Sequence, residues 1–324
     1  MKKIKNFKSL LFTVIGLTML MTSCRKNDEI SNPLDLYENF VAANAPQNQL
    51  FTIDAATGGQ IVCKRGTKIT FPPNAFANPD NSLTTGLVLV RVKEALDKSQ
   101  WMLNKLSTTT NDNLLISGGM IDIEANRKSD GAELKPAPAM VIPTPGLANV
   151  IKAEVPRINN RPDTLRLFLP VQAGLPNTSK PPTSWAASYY PFGNGTNSYI
   201  FQIPQFHWVN CDGLWNQTGA KTTVRVTPDI SRIVGAKEVQ VLFVYRNIST
   251  VITLPPFATY MESYENSIPV GSTADVVCIG KDGLGKIIFK VMPATTFTDH
   301  MDISIKPVAT SAAAVNAYLN SINN

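Results

Sequence analysis

Past Pro46 the chain is written in short runs that alternate apolar and polar residues, the period-two signature of strands with one buried face. Gly86-Leu-Val-Leu-Val-Arg-Val-Lys-Glu94 is the strongest of these runs. Phe51–Asp54 and Gly59–Cys63 flank a Thr57-Gly58-Gly59 turn, Thr67–Phe71 stops at Pro72-Pro73, and Ser117–Ala125 starts through two adjacent glycines. From Lys221 the alternation resumes in Thr223–Val226, Glu238–Tyr245, Val251–Leu254, Ala274–Ile279 and Lys286–Val291, with turns at Arg246-Asn247 and Lys281-Asp-Gly283. Three stretches carry helical spacing instead. They are 33–44, with Leu36, Phe40 and Val41 on one side; Asp97–Leu106, which Asp97 can cap; and Ser311–Ile322. The pattern predicts an all-β fold of two antiparallel β-sandwich-like domains with short helices.

The first residues follow another rule. Lys2, Lys3, Lys5 and Lys8 precede an apolar run from Leu10 to Met21, broken only by Thr13, Gly16 and Thr18. A positive end, a short apolar core and a small residue before the cut make a secretory signal, and the run is too short for a comfortable membrane span. Met21-Thr22-Ser23-Cys24 resembles the lipidation box of bacterial lipoproteins, with Met21 where leucine is usual and Ser23 where glycine or alanine is common. The resemblance implies a diacylglycerol thioether on Cys24, a further acyl chain on its amine, and an outer-membrane protein facing the periplasm or the cell surface. Two or three acyl chains anchor stably where one does not. Arg25-Lys26-Asn27-Asp28-Glu29 resembles the export tag of surface lipoproteins in Bacteroidetes-type bacteria, and reads equally well as a solvated linker.

Domain organisation follows: a signal over 1–23, a tether with a short helix over 24–49, a β-domain over 50–145, a bridge over 146–215, and a C-terminal β-domain with a terminal helix over 216–324. The bridge is placed there because ten prolines fall between Pro136 and Pro182, a density that breaks long central strands while leaving Leu165–Leu169 as one. Charge changes the picture once the signal is set aside. The net +6 includes four lysines and no acid from residues 1–23; without them 26 basic residues face 24 acidic ones, a balance of +2 that lacks the electrostatic footprint of a nucleic-acid binder. Cys63, Cys211 and Cys278 each sit in an apolar segment and read as three buried thiols, one disulfide with one thiol being the alternative.

Phe51–Asp54, Gly58-Gly59, Gly66-Thr67, Ile69-Thr70-Phe71-Pro72, Asn74-Ala75-Phe76 and Ser117-Gly118-Gly119-Met120 together resemble the ZU-type β-domain of zonula-occludens scaffolds and netrin receptors, in its bacterial lipoprotein form. The resemblance covers about 50–145 and implies a β-sandwich used for adhesion or docking rather than catalysis. Some relatives cleave themselves at a His-Phe-Ser sequence; here Trp208 and Val209 follow His207, so that activity is not implied. Tyr199-Ile-Phe and Trp208-Val-Asn-Cys-Asp212 resemble a signature that follows such domains in the same lipoproteins.

Candidate chemistry is thin. Gly280-Lys-Asp-Gly-Leu-Gly-Lys-Ile287 approaches a phosphate-binding loop, but Ile287 has no hydroxyl for magnesium and a strand follows, so it reads as a hairpin turn. His207 and His300 are the two histidines, and Ser117 lies outside any nucleophile elbow. Asp122 and Glu124 share a strand face and would suit acid/base work, yet read as the solvated outer side of a half-buried strand. Asn111-Asp112-Asn113 reads as a turn rather than a calcium loop, and Asp163-Thr164-Leu165 resembles a short O-glycosylation acceptor. Trp185, Tyr189, Tyr190, Phe192, Trp208 and Trp215 concentrate beside glycine and asparagine, a mixture able to stack on sugar rings or a peptide. Tyr189, Tyr190 and Trp215 are the candidate ligand contacts, while Trp208 is expected in the core, on one strand face with Phe206. No catalytic, cofactor or metal residue is expected. The expected function is a membrane-anchored, non-catalytic adhesion, assembly or ligand-binding module with a glycan or protein partner. A carbohydrate-active or peptide-processing enzyme using carboxylates, and a structural partner of an outer-membrane complex, are the alternatives.

Overall fold

The computed structural model describes residues 35–158, 164–171 and 182–323, so Cys24 and Asp163 lie outside the described residues. The described chain belongs to one compact unit and is all-β, with three short α-helices. A six-stranded antiparallel sheet runs in the order Gln49–Asp54, Leu87–Ala95, Leu115–Arg127, His207–Leu214, Arg166–Pro170, Trp185–Ala187. A five-stranded sheet made of Phe192–Asn194, Ser198–Gln202, Lys152–Pro156, Lys68–Phe71 and Gly59–Val62 packs across a shared core from it. The second half builds another five-stranded sheet, Thr250–Thr253, Lys237–Tyr245, Thr273–Lys281, Ile287–Thr296 and Val308–Ala309. A small sheet of Met261–Glu262, Arg225–Pro228 and Asp302–Ile305 shares a further core with it.

Alternation along single strands produces these layers. In Leu87–Ala95, Val88, Val90 and Val92 are fully buried in the first core, and in Lys237–Tyr245 the residues Val241 and Phe243 enter the second sandwich while Leu242 and Val244 point the other way. That other way is a third core. It joins the outer faces of the two large sheets and holds Met120, Phe168 and Trp208 against Leu242, Val244, Val277 and Ile279, with Trp101 and the helix residues Tyr37, Phe40, Val315 and Leu319. Each large side chain moved out of water there contributes about 1.5–3 kcal/mol, which is why the two sandwiches form one unit. Backbone bonds reinforce the joint: Thr108 N donates to Val251 O at 2.7 Å, and Ser117 N to Ser249 O at 2.9 Å.

Residues 146–215, expected to bridge two domains, instead supply six strands to the first two sheets. Pro156 and Pro170 stand at strand ends, closing Lys152–Pro156 and Arg166–Pro170, so neither removes a central ladder bond. Expected helices appear at Leu36–Asn44, Lys98–Leu103 and Ala312–Ile322, capped by Asp35, Asp97 and Ser311. The first presents Tyr37, Phe40 and Val41 to the third core and leaves Leu36 53 % exposed, a rotation of the expected face by one residue. Phe206 and Trp208, expected on one face, lie in different cores, because His207 between them has φ 66° and breaks the alternation. Cys63, Cys211 and Cys278 are all buried, and burial pushes the Cys63 and Cys278 thiols up to about 12. Gly280–Ile287 is the hairpin turn between Thr273–Lys281 and Ile287–Thr296, as its sequence implies.

Candidate functional site

The aromatic segment is dispersed by the fold. Trp185 is buried and donates its indole N–H to the Ser107 carbonyl; Trp208 is 1 % exposed; Phe192 stacks on Phe201 at 5.7 Å. Tyr190 lies against the first core and donates its hydroxyl to Val141 O at 2.8 Å, while Tyr189 is 91 % exposed. Of the three candidate contacts, Trp215 lines a cleft to which the fold does not bring the two tyrosines.

Trp215 sits where the chain leaves the strand His207–Leu214, held by its backbone N–H on Leu114 O at 2.9 Å. Its half-buried indole meets the Tyr245 ring edge-on at 5.4 Å and 71°. A cleft of about 350 Å³ opens beside it, lined also by Gln217, Asn247, Ser272 and Thr273. The Tyr245 hydroxyl lies 3.1 Å from Ser272 Oγ, and burial raises its pKa, so it remains a neutral hydrogen-bond group. Among the described lining residues there is no carboxylate, imidazole or thiol. The arrangement offers one aromatic face, amides and hydroxyls, which suits a neutral polar ligand.

A second groove, of about 650 Å³, is more apolar. Phe257 and Tyr260 stack at 5.3 Å, the Arg225 guanidinium lies 4.1 Å over Tyr260, and Val239 and Met261 also line the groove. Asp229 at its rim accepts from Ser231, which holds its carboxyl below the usual range.

Asp122, Glu124 and His207 come together on the outer face of the six-stranded sheet, their nearest polar atoms within 4.8 Å of one another. The left-handed backbone at His207 turns its ring to this side, with Nδ1 3.9 Å from Asp122 Oδ1 and Nε2 3.1 Å from Glu133 Oε1. Asp122 is not solvated, contrary to the expectation for an outer strand face; it is 2 % exposed, beside Met120 on its own strand and its cross-strand partner Trp208, both of which belong to the core shared with the second sandwich. Burial pushes its carboxyl up to about 6, against the pull of Lys93, 3.7 Å away. The three groups have the donor types of a metal site, but Lys93 on Asp122 and Arg91, 3.4 Å from Glu124, already place two cations around them. The cluster is an ion-pair network.

Other buried charges tie elements together. Asp275 receives Arg246 at 2.8 Å, Tyr318 OH at 3.1 Å and Ala294 N at 3.0 Å, fastening the terminal helix to the sheet. Lys281 Nζ reaches Asp35 at 3.0 Å, Glu38 at 2.7 Å and Glu238 at 2.8 Å, fastening the first helix. No family model, curated protein or solved structure matches the chain. Asn247, Ser272 and Thr273 were invisible as site residues in the sequence, since they reach Trp215 from separate turns and carry no shared motif.

Proposed function

We propose that the chain is a lipid-anchored cell-envelope protein with a binding rather than a catalytic task, and that the Trp215 cleft seats a neutral glycan. The cleft carries this reading: an indole beside amides and hydroxyls, with no carboxylate, imidazole or thiol among the described lining residues and its Tyr245 phenol held neutral by burial, favours stacking and hydrogen bonding over proton transfer. The Cys24 signal supports the anchor. The ZU-like resemblance over about 50–145 supports docking rather than catalysis.

Fluorescence titration with a panel of neutral oligosaccharides tests it. Trp101, Trp185 and Trp208 are buried, so a ligand-induced change reports Trp215. Trp215→Ala is expected to weaken binding severalfold to tenfold, on the order of 1 kcal/mol for one stacking contact, with the fold retained. Binding that survives the substitution would remove the cleft from consideration. The enzyme alternative keeps one favourable observation, the near-neutral Asp122 beside His207. Hydrolysis of a glycan or peptide that Asp122→Asn abolishes would carry that reading instead.

A further inference from the structure

One face of the second sandwich holds large apolar side chains in water among basic ones. Val234 is 91 % exposed, Leu284 73 % and Val308 55 %. Val234 and Leu284 sit on two turns locked together: Gly283 N donates to Val234 O at 2.9 Å, and Asp282 Oδ1 accepts from the backbone of Leu284 at 2.8 Å and Lys286 at 2.9 Å. Apolar tips held outward on stiffened turns are costly unless something covers them. Arg232, Lys286 and Lys306 are exposed around them. The acids on this face are engaged: Asp282 caps its own turn, Asp229 accepts from Ser231 and lies 4.0 Å from Lys306, and Asp35, Glu38 and Glu238 beside the Gly285 turn gather on Lys281.

The route of the chain says what covers this face. The helix Leu36–Asn44 docks on the same turn, with Tyr37 N donating to Gly285 O at 3.0 Å and Asp35 Cα 2.8 Å from where a Cβ on Gly285 would stand. Eleven residues lead from Cys24 to Asp35, a reach of at most about 40 Å. A compact unit of this length is about 50 Å across. A lipid on Cys24 therefore keeps near the bilayer the side from which the chain emerges, and Leu284 is next to Gly285 on that side. We infer that the Val234, Leu284 and Val308 face rests on the membrane, its apolar tips among the lipid headgroups and Arg232, Lys286 and Lys306 against lipid phosphates. The inference rests on the lipid anchor at Cys24; its source of phosphate is the anionic lipid surface.

The full lipidated chain, placed in phosphatidylethanolamine and phosphatidylglycerol vesicles with brominated acyl chains, tests it by contact quenching. Leu284→Trp is expected to lose at least half its added emission relative to unbrominated vesicles, while Leu50→Trp, 61 % exposed on the first sandwich, keeps its own. Both substitutions are at exposed positions, so folding is preserved. A Cys24→Ala chain is the control for the anchor. If it stays with membranes after a carbonate wash, the anchor reading fails and Leu284→Trp quenching alone decides the patch. If the lipidated chain binds vesicles while Leu284→Trp is no more quenched than Leu50→Trp, the anchor stands and the patch is overturned. Shielding of residue 284 in native envelope membranes but not in pure lipid would assign the face to a protein partner and equally overturn it.

Discussion

Asp122→Asn should change how stability depends on pH, and by an amount the structure sets. The carboxyl is 2 % exposed and burial lifts its pKa from 3.8 to about 6, so between those values the folded chain binds a proton that the unfolded chain has released. Stability contributed by this group is thus full below about pH 4 and is lost as pH rises to about 6. The loss is about 3 kcal/mol, taking 1.36 kcal/mol for each pKa unit, and Lys93 at 3.7 Å has already moderated the value. Asparagine keeps the volume and cannot ionise. Urea unfolding of both chains from pH 4 to pH 7 isolates the group, since titrations remote from the Asp122 cluster cancel in the difference. The variant should gain about 3 kcal/mol on the parent across that window and hold the gain above it. Parallel stability curves would refute the reasoning and give Asp122 an ordinary, hydrated carboxyl.

Trp208→Ala should destabilise by roughly 3–5 kcal/mol in chemical denaturation, because the indole is 1 % exposed in the core the two sandwiches share; normal melting would contradict that placement. Phenylalanine separates two of the buried tryptophans: Trp208 Nε1 has no acceptor among the described residues, whereas Trp185 Nε1 donates to Ser107 O, so Trp185→Phe should cost about 1–3 kcal/mol more than Trp208→Phe. Gly119→Ala should lower the melting temperature, since φ is 134° and a Cβ would stand 2.8 Å from Leu96 Cδ2. Gly118→Ala should lower it further, because its Cβ would meet the Cys211 carbonyl at 2.8 Å, and equal melting of the two variants would sink this ordering.

The strands were legible because a half-buried strand writes its environment into every second residue, as Val88, Val90 and Val92 do. Caps were legible for a related reason: Asp35, Asp97 and Ser311 bond backbone N–H groups three residues on, a contact confined to the local sequence. Joining strands into sheets was not local. The proline count from 136 to 182 correctly limits strand length, yet it carries no information on whether Lys152–Pro156 and Arg166–Pro170 pair with strands far away in the chain, and they do.

The candidate sites fail in the sequence for the same reason, at the scale of single side chains. Alternation assigns Asp122 to an outward face, and outward is correct; what it cannot assign is the burial there, where Met120 and Trp208 beside it belong to the core shared with the second sandwich. His207 adds a second non-local step, since a positive φ turns its ring toward Asp122 and Glu133 against the period of its strand. Trp215 was singled out for its glycine and asparagine neighbours, but Gln217 alone of its polar cleft partners is near it in sequence. A residue's chemistry on an outer strand face is fixed by whether that face stays wet, and here burial lifts the Asp122 carboxyl to about 6.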